Sequence, residues 1–384
     1  MPGERHQLSD LLSYGRTYYE KEIDASFPDI SLVFKKKTQV FVYGAARLGR
    51  IFKKHLADMG VHIAGFVDGN QALWGSNIDD VKVMSPTELR ENYFNSPILV
   101  ASLLYETEIC DSLGELGFPL VYPLSYLNYK LPEVFVSSVY AGIFSSLFIK
   151  KHQTDILQLD GLWADELSRK VFHNIISFRL KLDKGFIKGA RSPGPLYFEQ
   201  DIICLSKNEV FLDCGAYTGD SVDEFFNATG GLFKKVYCFE PDRSNFLKLR
   251  EVAEEIGPSR VTPVNSGVYE TVGEISFNEA GTLDTQIGNG PGSVTLPVIS
   301  IDSFIENREP ATFIKMDIEG AERKALSGAR ETIGENKPKL AISVYHKATD
   351  LWQIPLFIKT LNPLYQLYLR HYTNEVVDTV CYAI

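Results

Sequence analysis

The sequence predicts an α/β fold built from two parallel-sheet domains, and three observations carry that expectation. Short apolar strands alternate with helical patterns in two separate stretches, which implies parallel sheets. The first strand of each stretch ends in a turn of small residues, Gly44-Ala-Ala-Arg-Leu-Gly49 and Cys214-Gly-Ala-Tyr-Thr-Gly219. The last stretch changes character, with two strands following one another without a helix between them. The length of 384 residues agrees, since domains run to roughly 100–200 residues each.

Residues 1–34 read as a mixed, helical segment carrying Tyr14, Tyr18 and Tyr19. Residues 35–130 form the first domain, with strands at Gln39–Tyr43, Ile63–Val67 and Pro97–Ala101 and helices after Gly49 and over Tyr105–Leu116. Residues 131–200 show helical apolar spacing and few strand signals, as expected of a connector, and the rigid turn Ser192-Pro-Gly-Pro195 ends it. Residues 201–384 resume the alternation, with strands at Glu209–Asp213, Lys235–Phe239, Val261–Asn265, Phe313–Met316 and Lys339–Tyr345. Asp302-Ser303, after the strand Leu296–Ser300, reads as a helix N-cap. Leu364–Tyr372 and Val376–Ile384 then read as strands joined by the turn Thr373–Glu375, and such a hairpin is antiparallel.

Composition excludes some partners. The net charge is 39 − 49 = −10, and an acidic surface repels both nucleic-acid phosphates and anionic membranes. Lys35–Lys37 and Lys234–Lys235 flank apolar stretches and read as solvated strand ends. Five cysteines without a C-x-x-C pair suit reduced thiols in a cytoplasmic protein. Met1–Asp10 lacks the apolar segment of a signal peptide. The uncharged run Val134–Ile149 is shorter than the roughly 20 residues of a membrane span and reads as a buried helix or interface segment.

The second small-residue turn carries the functional argument. Val210-Phe-Leu-Asp213 is an apolar strand ending in a carboxylate, and Asp220–Phe226 begins a helix. Between them, Gly215, Ala216, Tyr217, Thr218 and Gly219 form a loop at the carboxyl end of a strand, where open α/β sheets bind ligands. Gly215 and Gly219 let a ligand approach the backbone, and the helix start offers N–H groups to a carboxylate. The next strand ends Phe239-Glu240-Pro241, placing an acid to take two ribose hydroxyls. Asn265-Ser266 ends the third strand, where an amide meets an adenine edge. The loop does not match the dinucleotide fingerprint, and a pyrophosphate fits poorly beside Asp213 and Asp220. A ligand with positive charge near the loop, such as S-adenosylmethionine, fits better.

These segments resemble the FkbM-type methyltransferase family. The resemblance rests on Phe211–Gly219, Phe239–Asp242, Val264–Ser266 and above all Ile314-Lys-Met-Asp-Ile-Glu-Gly-Ala-Glu322. It covers Asp201–Ile384 and departs mildly at Cys214 and Ser266. It implies a class I methyltransferase sheet, Rossmann-like and closed by the C-terminal hairpin. It also implies S-adenosylmethionine-dependent methylation of a hydroxyl on a sugar, glycan or natural product.

The catalytic candidates are Asp317, Glu319 and His346. Asp317 and Glu319 are two apart and point to one face of an extended strand end, Asp317 also as a cofactor contact. Glu319 equally suits the first turn of the following helix. His346 ends the fifth strand at the same edge, where a histidine serves as a general base. The three are suitable hard ligands, but their spacing marks no metal site, and metal-free catalysis is expected. Arg370, His371 and Tyr372 orient a polar acceptor or form a solvated turn.

In the first domain Gly44, Gly49 and Asp68 have Rossmann-like spacing, with Ala46 where the middle glycine belongs. Two readings stand: a second nucleotide site, for a nucleotide or nucleotide-linked sugar, and a scaffold or homodimerisation domain with an empty turn. For the whole chain, the alternatives to a methyltransferase are a non-catalytic cofactor-binding scaffold and an NAD-dependent sugar-modifying enzyme.

Overall fold

The computed structural model describes residues 8–132, 143–277 and 294–384. Most of the uncharged run at 134–149 lies outside them; a helix, Ser146–Lys151, covers its end. The chain divides into two compact units, Met1–Gln153 with His173–Gly189 and Thr373–Val376, and Thr154–Phe172 with Ala190–Tyr372 and Val377–Ile384. The helical stretch at 131–200 is thus shared between the two units. Among the described residues, no helix is long and apolar enough to cross a membrane.

The first unit holds a six-stranded sheet. Its strands are β1 (Val40–Tyr43), β2 (Ile63–Val67), β3 (Asn77–Ile78), β4 (Val81–Met84), β5 (Ile98–Val100) and β6 (Val121–Tyr122), in the order β3-β4-β2-β1-β5-β6. All neighbours run parallel except β3 with β4. Val40, Phe41 and Val42 are fully buried, as a parallel strand covered on both faces requires. The short strands β3, β4 and β6 were not read from the sequence. Tyr18 and Tyr19, on the helix Arg16–Ser26, pack with Tyr14, which lies just before that helix.

A buried ion cluster also belongs to this unit. Lys184 Nζ lies 2.7 Å from Glu106 Oε1 and 3.3 Å from Glu375 Oε2. Glu375 accepts the Thr107 N–H, and Glu106 accepts the Ser125 N–H and hydroxyl.

The second unit holds β7 (Val210–Cys214), β8 (Lys235–Phe239), β9 (Val261–Val264), β10 (Gly267–Val268), β11 (Gly273–Phe277), β12 (Val294–Ile299), β13 (Phe313–Met316), β14 (Lys339–Ser343), β15 (Leu367–His371) and β16 (Thr379–Ala383). Its main sheet has the order β15-β16-β14-β13-β7-β8-β9. Strands β9, β8, β7, β13 and β14 are parallel, and β16 pairs antiparallel with both β14 and β15. This is the expected class I methyltransferase sheet. Phe211 and Phe313, in register on β7 and β13, stack at 4.9 Å, and Phe225 stacks on Phe211 at 4.5 Å.

Three details differ from expectation. The hairpin strands are shorter, leaving residues 372–378 as a loop. Glu375 enters the ion cluster of the first unit, and Asp378 takes a left-handed conformation at φ 57°, which no strand residue adopts. A separate three-stranded sheet, β10-β12-β11, was not foreseen. Finally, Ser300 caps the helix Ile301–Ile305, while Asp302 accepts the N–H groups of Glu331 and Thr332 at the start of another helix.

Candidate active site

The carboxyl ends of β7, β8 and β13 surround a cavity of about 510 Å³ that lies wholly in the second unit. The Gly215–Gly219 turn forms one wall. Gly215 has φ +82°, and a Cβ on it would stand 1.9 Å from the Asp317 carbonyl oxygen, so no other residue fits. The N–H groups of Gly215 and Ala216 both donate to the Phe239 carbonyl, which closes the turn over β8. Ala216 is buried in the core, Thr218 is half-buried, and Tyr217 is exposed on the cavity wall. Gly219 takes the left-handed conformation before the helix Asp220–Ala228 and packs against Val252.

Glu240 clasps this turn. Its Oε2 accepts the Tyr217 N–H at 2.9 Å, and its Oε1 accepts the Asp242 N–H at 2.8 Å. Burial raises its pKa, partly offset by these two donors. Glu240 and Pro241 both line the cavity, as expected.

Three expected contacts are placed elsewhere. Asp213 is fully buried and does not line the cavity; its Oδ1 faces Lys315 Nζ at 3.0 Å and its Oδ2 accepts the Ser221 hydroxyl at 2.5 Å. Asp220 lines the cavity instead. Asn265 donates its amide to the carbonyls of Glu240 and Pro241, so it holds the acid rather than facing a base. Ser266 donates to the Gly267 and Pro297 carbonyls. The wall in that region is apolar and comes from the unforeseen sheet, through Val268, Ile275, Leu296 and Val298.

At the other end, Asp317 lines the cavity at the close of β13. Tyr197 donates to its Oδ2 at 2.6 Å and Tyr345 to its Oδ1 at 3.2 Å. Burial works against its charge, but His346, Lys315 and the two hydroxyls outweigh it and hold the carboxyl below its ordinary pKa. Glu319 sits at the lip in a left-handed conformation, with its side chain 79% exposed.

His346 does not have the geometry of a general base. It is 4% exposed and is not part of the cavity lining. Its Nδ1 lies 2.9 Å from Glu322 Oε1, and its Nε2 lies 3.3 Å from Asp317 Oδ1 and 3.7 Å from Glu319 Oε2. Burial lowers its pKa, but Glu322, Asp317 and Glu319 raise it to about 9, so the ring carries a proton at neutral pH. Asp317, Glu322 and His346 each offer a metal-ligand atom, all within 4.8 Å of one another; Glu322 replaces Glu319 in the set read from the sequence.

Comparison with known proteins fits this geometry. Residues 213–376 match the model of the methyltransferase FkbM domain, and residues 36–120 match one described as C2185-like, N-terminal. The crystal structure of methyltransferase FkbM from Methylobacillus flagellatus KT superposes with a TM-score of 0.72 at 25% identity, over 96% of this chain and 98% of that one. The C-terminal part of this chain is thus similar to the methyltransferase FkbM domain.

Two more distant structures match about half of the chain. An rRNA methylase from Streptococcus thermophilus matches at 16% identity over 47% of this chain and 87% of its own, with a TM-score of 0.32. Aeropyrum pernix fibrillarin with natively bound S-adenosyl-L-methionine matches at 9% identity over 48% of this chain and 71% of its own, with a TM-score of 0.30. Likeness at that level carries no functional argument. No curated protein matches the chain.

Sequence reasoning missed Tyr197, Lys315, Glu322, Tyr345 and Asp378 as members of this site. Lys315 and Glu322 stood inside the most specific motif, and Tyr345 stands beside His346. Tyr197 and Asp378 had no signal, since each comes from a loop far away in sequence. Asp378 lines the cavity, and among the described residues no hydrogen bond or ion pair engages its carboxylate.

In the first unit, Gly44, Gly49 and Asp68 do come together. A Cβ on Gly49 would lie 1.9 Å from the Gly44 carbonyl oxygen, and one on Gly44 would lie 2.8 Å from the Ala101 carbonyl oxygen. Asp68 accepts the N–H groups of Ala45 at 2.9 Å and Asn70 at 2.8 Å. Packing of the turn accounts for both glycines.

Proposed function

We propose that the FkbM-like domain binds S-adenosylmethionine and transfers its methyl group to a hydroxyl of a small-molecule or glycan acceptor. The observation that carries this reading is Glu240 on the wall of the cavity. Each of its oxygens holds one backbone N–H, and a carboxylate has about four lone-pair sites, so two remain for ribose hydroxyls. In this reading Asp220 meets the methionine ammonium, and the apolar wall around Val268 and Leu296 takes the adenine.

Methyl transfer is an in-line displacement. The acceptor oxygen forms a bond to the methyl carbon as the sulfonium–carbon bond breaks, and the electron pair stays on sulfur, leaving a neutral thioether. The hydroxyl proton goes to a base. We assign that base to Asp378, the carboxylate at this end of the cavity that is not already engaged by donors. Asp317, held by Tyr197 and Tyr345, keeps a fixed negative charge beside it.

Calorimetry with S-adenosylmethionine and with NAD tests the cofactor. Binding of the first, abolished by Glu240→Ala, is the expected result. Binding of NAD alone would remove this reading. Transfer of a labelled methyl group to a panel of sugars and glycans tests turnover.

A further inference from the structure

We propose that Asp317, Glu322 and His346 form a binding site for one divalent transition-metal ion, with Mn²⁺ as the ion best suited to the donors. Two carboxylates and one neutral imidazole balance a double positive charge. Carboxylate oxygens suit Mn²⁺ and imidazole suits transition metals, so the mixed set favours an ion between the hard and borderline classes. The motif read from the sequence as metal-free catalytic machinery thus acquires a second use, through Glu322 rather than the exposed Glu319.

Two buried atoms are the reason to invoke an ion. Glu322 is fully buried and His346 is 4% exposed, yet among the described residues neither Glu322 Oε2 nor His346 Nδ1 has a hydrogen-bond partner. The 2.9 Å approach of Nδ1 to Glu322 Oε1 therefore lies off the N–H direction. Buried polar atoms without partners are rare in folded proteins and call for a specific explanation. Ligand atoms brought close without hydrogen-bond alignment are what a shared cation produces.

The surroundings are those of an oriented ligand set. The N–H groups of Ile318 and Gly320 fix Glu322 through Oε1 and leave Oε2 over. The hydroxyls of Tyr197 and Tyr345 fix Asp317, and the Tyr345 ring packs on the His346 ring at 4.1 Å. Outer hydrogen bonds of this kind orient metal ligands and tune their affinity. Asp317 gives the site an opening, because it also lines the cavity. An ion here would displace the imidazole proton, which the same carboxylates otherwise retain.

The test uses the full chain, stripped with a chelator and titrated with Mn²⁺ alone while free Mn²⁺ is followed by electron paramagnetic resonance. One Mn²⁺ per chain is expected, with a ¹⁴N coupling in the pulsed spectrum. His346→Gln should abolish that coupling and weaken binding at least about tenfold, a loss seen even for outer-shell changes. Asp317→Asn, which leaves the Glu322 turn untouched, should weaken binding while circular dichroism stays unchanged. Absence of saturable binding, or binding that survives both substitutions, overturns the proposal. The inference stands apart from the methyl-transfer reading: a chain that binds Mn²⁺ but not S-adenosylmethionine keeps the first and loses the second.

Discussion

Replacing Lys315 by Met isolates the charge that supports the cavity from behind. Lys315 is 3% exposed; its ammonium forms an ion pair with Asp213 Oδ1 at 3.0 Å and donates to the Gly215 carbonyl at 2.6 Å. Met fills much of the same space but leaves Asp213 as a buried charge without its cation. Removing one partner of such a pair costs about 3–5 kcal/mol, far more than the pair contributes over a hydrophobic replacement. With a urea slope of about 3 kcal/mol per molar for a unit of this size, the unfolding midpoint falls by about 1–1.7 M. A rescue is expected as well. Asp213→Asn added to Lys315→Met removes the orphaned charge, and the amide oxygen still accepts the Ser221 hydroxyl. The double variant should therefore be more stable than Lys315→Met alone. Urea unfolding followed by tryptophan fluorescence reads both. A double variant no more stable than the single one, or a single loss below about 1 kcal/mol as for a surface pair, refutes the argument.

Four further outcomes are expected. Lys184→Met leaves Glu106 and Glu375 buried and facing each other, and should cost about 3 kcal/mol in the same unfolding assay. Gly215→Ala forces a Cβ into the Asp317 carbonyl, and calorimetry should show S-adenosylmethionine binding lost even where the protein still folds. Asn265→Ala removes two hydrogen bonds to the strand end bearing Glu240 and should cost about 1–3 kcal/mol of stability, an effect an adenine contact would not have. Asp378→Asn should slow methyl transfer yet stabilise the protein at pH 8 by up to about 2 kcal/mol. Burial, then Asp317, raises the Asp378 pKa to about 6 against the opposing effect of His346, so its contribution to stability is present below about pH 4 and is lost as pH rises through 6.

What the sequence made legible follows from how each feature is encoded. The five parallel strands were readable because most are short runs of buried apolar residues, as in Val210-Phe-Leu. The closing hairpin was readable as two strands but not in its bounds, since Glu375 sits in a buried ion cluster and Asp378 in a left-handed turn, both tertiary effects. The cavity's polar residues were half legible. Asp317 and Glu240 end strands at the switch point, a position that physics marks. Glu322 closes the motif with no role assigned to it from sequence, and only the fold shows that it is fully buried under the Asp317–Gly320 turn. Asp378 could not be found, because nothing local distinguishes a loop aspartate that enters a cavity from one that enters water.

The acid that follows a glycine turn needs a more careful reading than ribose recognition alone. In the second unit, Glu240 accepts an N–H from Tyr217, 23 residues before it, and one from Asp242, two residues after it. In the first unit, Asp68 accepts an N–H from Ala45, also 23 residues before it, and one from Asn70, two residues after it. The same clasp thus occurs in two β-α-β segments whose turns read differently. Each acid satisfies a backbone donor that the tight turn cannot pair within itself, a need that exists with or without a ligand. Spacing between turn and acid therefore identifies a well-made turn first. What separates the two is the rest of the strand edge. Beside Glu240 stand Asp220, Lys315, Asp317 and Asp378 around one cavity, and it is this convergence from β7, β8, β13 and the β15–β16 loop that lets Glu240, unlike Asp68, carry the functional reading.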